Sequence, residues 1–260
     1  NSRSSESAHM DIVSRISVSP GIPRVDIHTE IENNAQDHRL RVHFPTGMDC
    51  GNANQTVSAD FDGHFEVVRR AFGESKLNPD QSGLWVEQPR PEVPQRAFTD
   101  VSDGSRGLMI ANRGLPEVEV LQREDGSVEI ALTLLRCVGW LSRDDLNIRQ
   151  GHAGPGMETP EAQMPGTWGF DYSIIPHVKG QTSPYPLAYN FEVPLRAAAT
   201  SLHIGNLPPS GSFIDIESSG FIISSIKETD DGRGWLVRGY NSTGSSLPVS
   251  IRPWKPFRSV

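Results

Sequence analysis

The residues of this sequence that could act on a substrate begin with a short acid–histidine pair. Asp26 and His28 are separated by one residue, a spacing that on a β-strand places both side chains on one face, about 7 Å apart. Such a pair could bind a metal ion. Because Glu30 and Glu32 continue the same alternation, a solvated polar face explains the run better, and we predict no metal site here.

Adjacent carboxylates and a histidine form a second candidate. Asp144 and Asp145 follow Arg143, and His152 lies in the Gly-rich segment 151–156. Two carboxylates hydrolyse glycosides when they flank a sugar, roughly 5–9.5 Å apart, but sequence neighbours on an extended backbone point away from each other. The residues therefore favour an ion-pair network within a loop. The Gly-rich segment lacks the GxGxxG order of a nucleotide-binding loop.

An arginine at the end of a predicted strand is the third candidate. Arg113 lies between Asn112 and Gly114, after the run 107–111. A guanidinium there can bind carboxylates or sugar hydroxyls through its planar fork, although a surface salt bridge explains the residue equally well. The sequence contains no GxSxG elbow, no HExxH motif and no plausible Cys–His nucleophile pair. Taken alone, these residues do not reveal an activity.

The elements that must position these residues are predicted to be strands. Apolar and polar residues alternate at 25–32 and again at 40–44, which predicts an antiparallel hairpin with its turn at 33–37. One strand exposes acidic residues and the other basic residues, a pairing that stabilises a ladder. Further strands are predicted at 12–18, 65–70, 107–111, 118–122, 128–136, 214–217, 222–226 and 235–240. No helical stripe exceeds two turns, so the predicted fold class is all-β with antiparallel sheets.

Composition along the chain predicts two domains. Residues 1–10 are polar and tag-like or disordered, and they carry no fold signal. Segment 141–186 is rich in Gly and Pro, so we predict a long irregular loop that is functional or packs against another surface. A boundary near 194–209 then separates a large β domain at 11–190 from a smaller one at 191–260.

Charge and cysteine content restrict the class of protein. The formal net charge of −8 argues against a nucleic-acid partner, because phosphate binding needs a basic face. No apolar run approaches the roughly 20 residues needed to cross a bilayer, so we expect no membrane partner. Cys50 and Cys137 are too few for a disulfide framework and favour reduced thiols in a cytoplasmic protein.

Several blocks of the chain resemble the C-terminal β region of family-38 glycoside hydrolases, the α-mannosidase-like enzymes. These blocks are 33–42, 44–47, 112–117, 134–136, 138–144, 151–155, 159–163 and 176–177. In addition, 221–244 resembles the small terminal sandwich of bacterial members. The resemblance covers nearly everything after residue 10, and the combination of blocks makes it specific.

The resemblance implies a fold and a parent enzyme. The implied fold is a galactose-mutarotase-like supersandwich followed by a small β-sandwich. The family hydrolyses α-mannosidic bonds with retention, using an Asp nucleophile, a carboxylic general acid and zinc or another divalent metal. Those groups belong to an upstream catalytic domain. The resemblance therefore implies no catalytic residue, no metal ligand and no cofactor in this chain.

The resemblance also implies partners and surface roles. The expected partners are the parent's catalytic domain and an α-mannoside carbohydrate, and a homo-oligomer is open. Asn112 and Arg113 are predicted to border the substrate, a position called here the substrate rim. Arg143, Asp144 and His152 are predicted to lie on an interdomain loop.

Two other functions stay open. A free-standing carbohydrate-binding module would stack sugars on an exposed tryptophan. A mutarotase-like sugar epimerase would need a histidine and a carboxylate in one cleft. His28, His43 and His64 are candidates for that histidine, although nothing in the sequence makes them converge with a carboxylate.

Overall fold

The computed structural model describes residues 7–51, 56–63, 65–71, 86–87, 90–146, 149–180, 183–202, 204–218 and 220–254. The strands run in chain order as β1 Ile12–Val18, β2 Val25–Asn33, β3 Arg39–Asp49, β4 Ser58–Asp62, β5 Val67–Ala71, β6 Val93–Pro94, β7 Phe98–Ser102, β8 Arg106–Asn112, β9 Glu117–Gln122, β10 Ser127–Arg136, β11 Asp145–Leu146, β12 Arg149–Gln150, β13 Gly166–Val178, β14 Ile214–Ile216, β15 Phe221–Glu228, β16 Trp235–Asn241 and β17 Ile251–Pro253. A 3-10 helix spans Pro160–Gln163 and an α-helix, α1, spans Tyr185–Glu192. The all-β prediction is confirmed. No helix among the described residues is both long and apolar enough to span a bilayer.

The chain divides into two compact units, one of Asn1–Gly63 with Val68–Glu192 and one of His64–Val67 with Val193–Val260. In its described part, the second unit pairs β14 with β17 and β15 with β16 in antiparallel two-stranded sheets. An apolar cavity of about 430 Å³ in this unit is lined by Ser212, Phe213, Ile214, Ile223, Ile226 and Trp235. The domain bounds 11–190 and 191–260 stay a prediction.

The core of the first unit lies between two sheets. In the described residues, one sheet has seven strands in the order β1-β2-β13-β8-β7-β4-β5, and the other has four in the order β3-β10-β9-β6. Because side chains alternate across a strand, every second residue of β2 and β13 points inward, as Ile31, Phe170 and Tyr172 do. The edge of the Phe44 ring on β3 meets the Tyr172 ring at 5.7 Å between centroids, which joins the two sheets.

The predicted hairpin of the second and third strands is wrong. β2 pairs with β1 and β13, whereas β3 pairs with β10 in the other sheet. The connection crosses from sheet to sheet because its start is anchored inside the protein. The buried Asn33 amide donates to the carbonyl oxygens of Gln163 and Met164, at 3.0 and 2.7 Å. The two arginines of β3 instead form ion pairs with acids on β9, as Arg41 does with Glu119.

The prediction of an irregular loop at 141–186 is wrong for the second half of that segment. β13, Gly166–Val178, is a 13-residue strand that pairs with both β2 and β8. Its glycines and Pro176 weaken the strand signal in the sequence. Pro176 is tolerated because β2 pairs only as far as Ile174, so the missing N–H of Pro176 lies beyond that ladder.

Candidate functional site

The turn after β8 presents Arg113. Asn112 is 0% exposed. Its side-chain amide donates to the carbonyl oxygen of Arg96 at 3.0 Å, and its side-chain oxygen accepts from the Leu115 N–H at 2.8 Å. Gly114 has φ +76°, a left-handed conformation that favours glycine. Asn112 therefore fixes the turn from inside, while Arg113 is the residue of the pair that reaches the surface.

Helix α1 holds the guanidinium of Arg113. Nε of Arg113 donates to the carbonyl oxygen of Phe191 at 2.8 Å, and the guanidinium lies 4.3 Å from the centre of the Phe191 ring. The ring is buried, so its face is a fixed platform for a cation. The guanidinium of Arg24 lies 5.3 Å from the centre of the same ring. One aromatic side chain thus contacts two arginines.

A cross-strand histidine–aspartate pair lies beside Arg113. His28 on β2 is the register partner of Asp171 on β13, and Nδ1 of His28 is 2.9 Å from Oδ1 of Asp171. Oδ2 of Asp171 is 3.7 Å from Nη1 of Arg113, and the Asp171 carbonyl oxygen accepts from the Arg113 N–H at 3.1 Å. Both side chains of the pair are 40% exposed. The two side chains are therefore partly open to solvent beside the Arg113 guanidinium.

The group of residues around this guanidinium is called here the Arg113 cluster. It consists of Arg24, Asp26, His28, Arg113, Asp171 and Phe191. Arg24 holds Asp26 through two hydrogen bonds of 2.8 and 3.3 Å, and the Ser173 hydroxyl donates to Asp26 at 2.7 Å. Two guanidiniums and two carboxylates balance each other. His28 and Asp171 bond to each other and do not flank a gap, so the arrangement suits binding of a polar ligand more than acid–base catalysis.

The loop around the adjacent carboxylates is an ion-pair network, as the sequence indicated. Nε and Nη2 of Arg143 each donate to one carboxylate oxygen of Asp145. The Asp144 carboxylate lies 3.7 Å from Nε2 of His152. The order Ser142, His152, Asp144 superficially matches a catalytic triad. However, the buried Ser142 oxygen already accepts two backbone N–H groups, at 2.9 and 3.2 Å, and 3.7 Å exceeds a hydrogen bond. In the part of the chain that the structure describes, no hydrogen bond or ion pair joins this loop to the Arg113 cluster.

A second histidine–aspartate pair is structural. Nε2 of His177 lies 2.8 Å from Oδ1 of Asp100, and burial raises the pKa of Asp100 although His177 opposes the shift.

Asp60 accepts two hydrogen bonds from Arg69, at 2.7 and 2.6 Å, and one from the Tyr185 hydroxyl at 2.9 Å. Burial, and then the charge of Asp60, raise the pKa of Tyr185. This network fixes the start of α1, and sequence reasoning missed it.

The other candidate groups do not converge on a ligand. His43 lies 3.1 Å from Glu129 on the four-stranded sheet, and His64 lies outside the described residues. The Cys137 thiol is 3.9 Å from His38, but it is buried, and burial raises its pKa, which disfavours a nucleophilic thiolate. Across the described ranges, no group of three or more His, Cys, Asp or Glu side chains is arranged to hold a metal ion.

Comparison with known proteins shows which enzymes this chain is similar to. An α-mannosidase from Enterococcus faecalis V583 superposes with a TM-score of 0.78 and 32% identity over 96% of this chain. The chain corresponds to a C-terminal part of a family-38 glycoside hydrolase-like enzyme. A second family-38 structure from Enterococcus faecalis gives a TM-score of 0.76 and 30% identity, again over 96% of this chain.

The family-38 relatives are much longer than this chain. The chain spans 26% of each of the two solved structures. It also matches a protein of Halalkalibacterium halodurans that is named provisionally as a mannosylglycerate hydrolase, with 29% identity over 92% of this chain and 24% of that relative. No family model matches the chain. The resemblance found from the sequence blocks is confirmed by these similarities.

Proposed function

We propose that this chain is the non-catalytic C-terminal β module of a retaining, metal-dependent α-mannosidase. The observation that carries the proposal is the match of 96% of the chain to about a quarter of an α-mannosidase, at 32% identity. The described residues offer no ligand set for the divalent metal that the family resemblance implies.

The proposed contribution of the module to the substrate is Arg113. The Arg113 side chain is 35% exposed. Its guanidinium lies against the Phe191 ring, and its Nε donates to the Phe191 carbonyl oxygen. A guanidinium so fixed can donate to sugar hydroxyls, or to a carboxylate of the group attached to the sugar. Asn112 serves the same rim by fixing the turn, not by touching the sugar.

The proposed partner in the same enzyme is the catalytic domain. The loop residues Arg143, Asp144 and His152 are the proposed contact surface, since their side chains are 51, 71 and 45% exposed. A cytoplasmic location is part of the proposal, and the two cysteines, which are both free, support it. A homo-oligomer is compatible with this assignment.

Replacing Arg113 in the complete enzyme tests the rim. We expect Arg113→Ala to lower kcat/KM for an aryl α-mannoside by about 10- to 100-fold, the usual effect of losing a charged hydrogen bond to a ligand. Arg136→Ala, which removes an exposed arginine from the four-stranded sheet, is the matched control and should leave kcat/KM within twofold. A loss of less than twofold for Arg113→Ala would exclude the rim role.

A free-standing carbohydrate-binding module is the second candidate. Trp235, 71% exposed, lines the cavity of the second unit and could stack on a sugar ring. The other lining residues are apolar except Ser212, whereas a sugar needs several polar partners as well as a platform. Titration of the chain with methyl α-mannoside, with Trp235→Ala as control, distinguishes the two: saturable binding lost in the variant would favour this candidate.

A mutarotase-like epimerase is less well supported. Its acid and base must reach different atoms of one sugar. His28 does meet a carboxylate, but Nδ1 of His28 and Oδ1 of Asp171 are 2.9 Å apart, which leaves no space for a sugar between them. Acceleration of glucose mutarotation by the chain, abolished by His28→Ala, would support this function.

A further inference from the structure

We propose that Asp171 and His28 are positioning residues that hold the free edge of the Arg113 guanidinium ready for a sugar substrate. This inference rests on the proposed rim role of Arg113. It concerns two residues that bind no substrate atom themselves but decide where the substrate-binding nitrogens of Arg113 lie.

The free edge of Arg113 consists of Nη1 and Nη2. Nε is already bonded to the Phe191 carbonyl oxygen at 2.8 Å, and one face of the guanidinium lies against the Phe191 ring. Nη1 is 3.7 Å from Oδ2 of Asp171, which is too long for a hydrogen bond but within the range of an ion pair. Within the described residues, Nη1 and Nη2 make no hydrogen bond. Their protons thus remain available while the charge is balanced.

His28 fixes the carboxylate that balances this charge. With the proton placed on Nδ1, the imidazole donates to Oδ1 of Asp171 at 2.9 Å, which sets the plane of the carboxylate and turns Oδ2 towards Arg113. The absence of a side chain on Gly169 leaves space for the ring, since a Cβ there would lie 3.2 Å from Cε1 of His28. The backbone N–H of Arg113 also donates to the backbone carbonyl oxygen of Asp171 at 3.1 Å. Asp171 therefore holds the main chain of Arg113 as well.

Three contacts therefore orient Arg113: the Phe191 carbonyl, the Phe191 ring and the Asp171 carboxylate. An arginine oriented before binding loses less side-chain freedom when the substrate arrives. A contact made equally in the bound complex and in the transition state changes KM and leaves kcat alone. Loss of the positioning should therefore raise KM selectively.

The test uses the complete enzyme and an aryl α-mannoside. We expect Asp171→Asn and His28→Leu each to raise KM about 3- to 10-fold, with kcat within twofold of the parent. His28→Asn should restore KM, because the asparagine amide can donate from near the position of Nδ1. In the Arg113→Ala background the same substitutions should have no further effect, since nothing remains to be positioned. Glu30→Gln on the same strand face is the control.

Each outcome decides between the two proposals. If Arg113→Ala raises KM but Asp171→Asn and His28→Leu do not, the positioning role is contradicted and the rim role stands. If Arg113→Ala leaves kcat/KM within twofold, the rim role fails, and the positioning role fails with it. If Asp171→Asn or His28→Leu lowers activity equally in the presence and absence of Arg113, or if His28→Asn does not restore KM, the effect is structural and the inference is overturned.

Discussion

A Cβ placed on Gly107 would lie 2.1 Å from Nε2 of His177, the nitrogen that bonds the buried Asp100. Gly107 and His177 are register partners on β8 and β13. The absence of a side chain at position 107 is therefore what allows the His177 ring to cross the neighbouring strand and reach its carboxylate.

Gly107→Ala should consequently destabilise the protein. The methyl group must displace His177 and leave Asp100 without its partner, and overpacking together with a lost buried hydrogen bond costs about 2–4 kcal/mol. Urea unfolding followed by circular dichroism measures the change. Gly154→Ala is the control, because a Cβ there has nothing within 4 Å, and it should change the free energy of unfolding by less than about 0.5 kcal/mol. Equal stability of the two variants would contradict the packing described for His177.

Tyr185 anchors α1 through two separable contacts. Its hydroxyl donates to Asp60, and its ring stacks on Phe98 with 4.7 Å between centroids. Tyr185→Phe should cost about 1 kcal/mol, because Asp60 remains bonded to Arg69. Tyr185→Leu should cost about 2–4 kcal/mol, because the stacked ring is lost as well. Thermal unfolding of both variants checks the order, and a larger loss for Tyr185→Phe would show that the hydroxyl, and not the ring, holds the helix.

Asp103 should make the free energy of unfolding of the protein depend on pH. Hydrogen bonds from the Ser105 hydroxyl and from the backbone N–H groups of Ser105 and Arg106 lower the pKa of Asp103 to about 2. Because the folded pKa lies below the unfolded value, the stabilisation is present above about pH 4 and is lost as the pH falls from about 4 to 2. Asp103→Asn should therefore lower the melting temperature at pH 7 by about 2–4 °C.

The difference between Asp103→Asn and the parent should shrink towards zero near pH 2. Melting temperatures measured at intervals from pH 7 to pH 2 follow it directly. Glu30→Gln, which changes an exposed carboxylate on β2, is the matched control and should leave the pH profile unchanged. A constant difference at all pH values would contradict the assigned origin of the stabilisation.

Strands that alternate regularly were predictable from the sequence, and strands with buried polar residues were not. The sequence of β2 has a period of two, and burial alternates with that period from Thr29 to Asn33. β4 and β7 bury Asp60 and Asp100, so their inward and outward residues do not separate by polarity. These carboxylates are satisfied by Arg69 and His177, which are partners that only the fold brings near.

The candidate site was predictable only in part for the same reason. Arg113 could be identified from its place after a strand and from the family blocks. Its partners could not, since Phe191 lies 78 residues away in sequence, and His28 and Asp171 are separated by 143 residues. Short-range patterns carry no information about such cross-strand neighbours, because strand order in the sheet decides them.

The central proposal is that this chain is a non-catalytic module of an α-mannosidase and carries no catalytic group itself. The most direct measurement is hydrolysis of an aryl α-mannoside by the purified chain with added zinc, beside the complete enzyme at equal molar concentration. We predict release of the aryl group by the complete enzyme and none above the uncatalysed rate by the chain. Metal-dependent turnover by the chain alone would contradict the account.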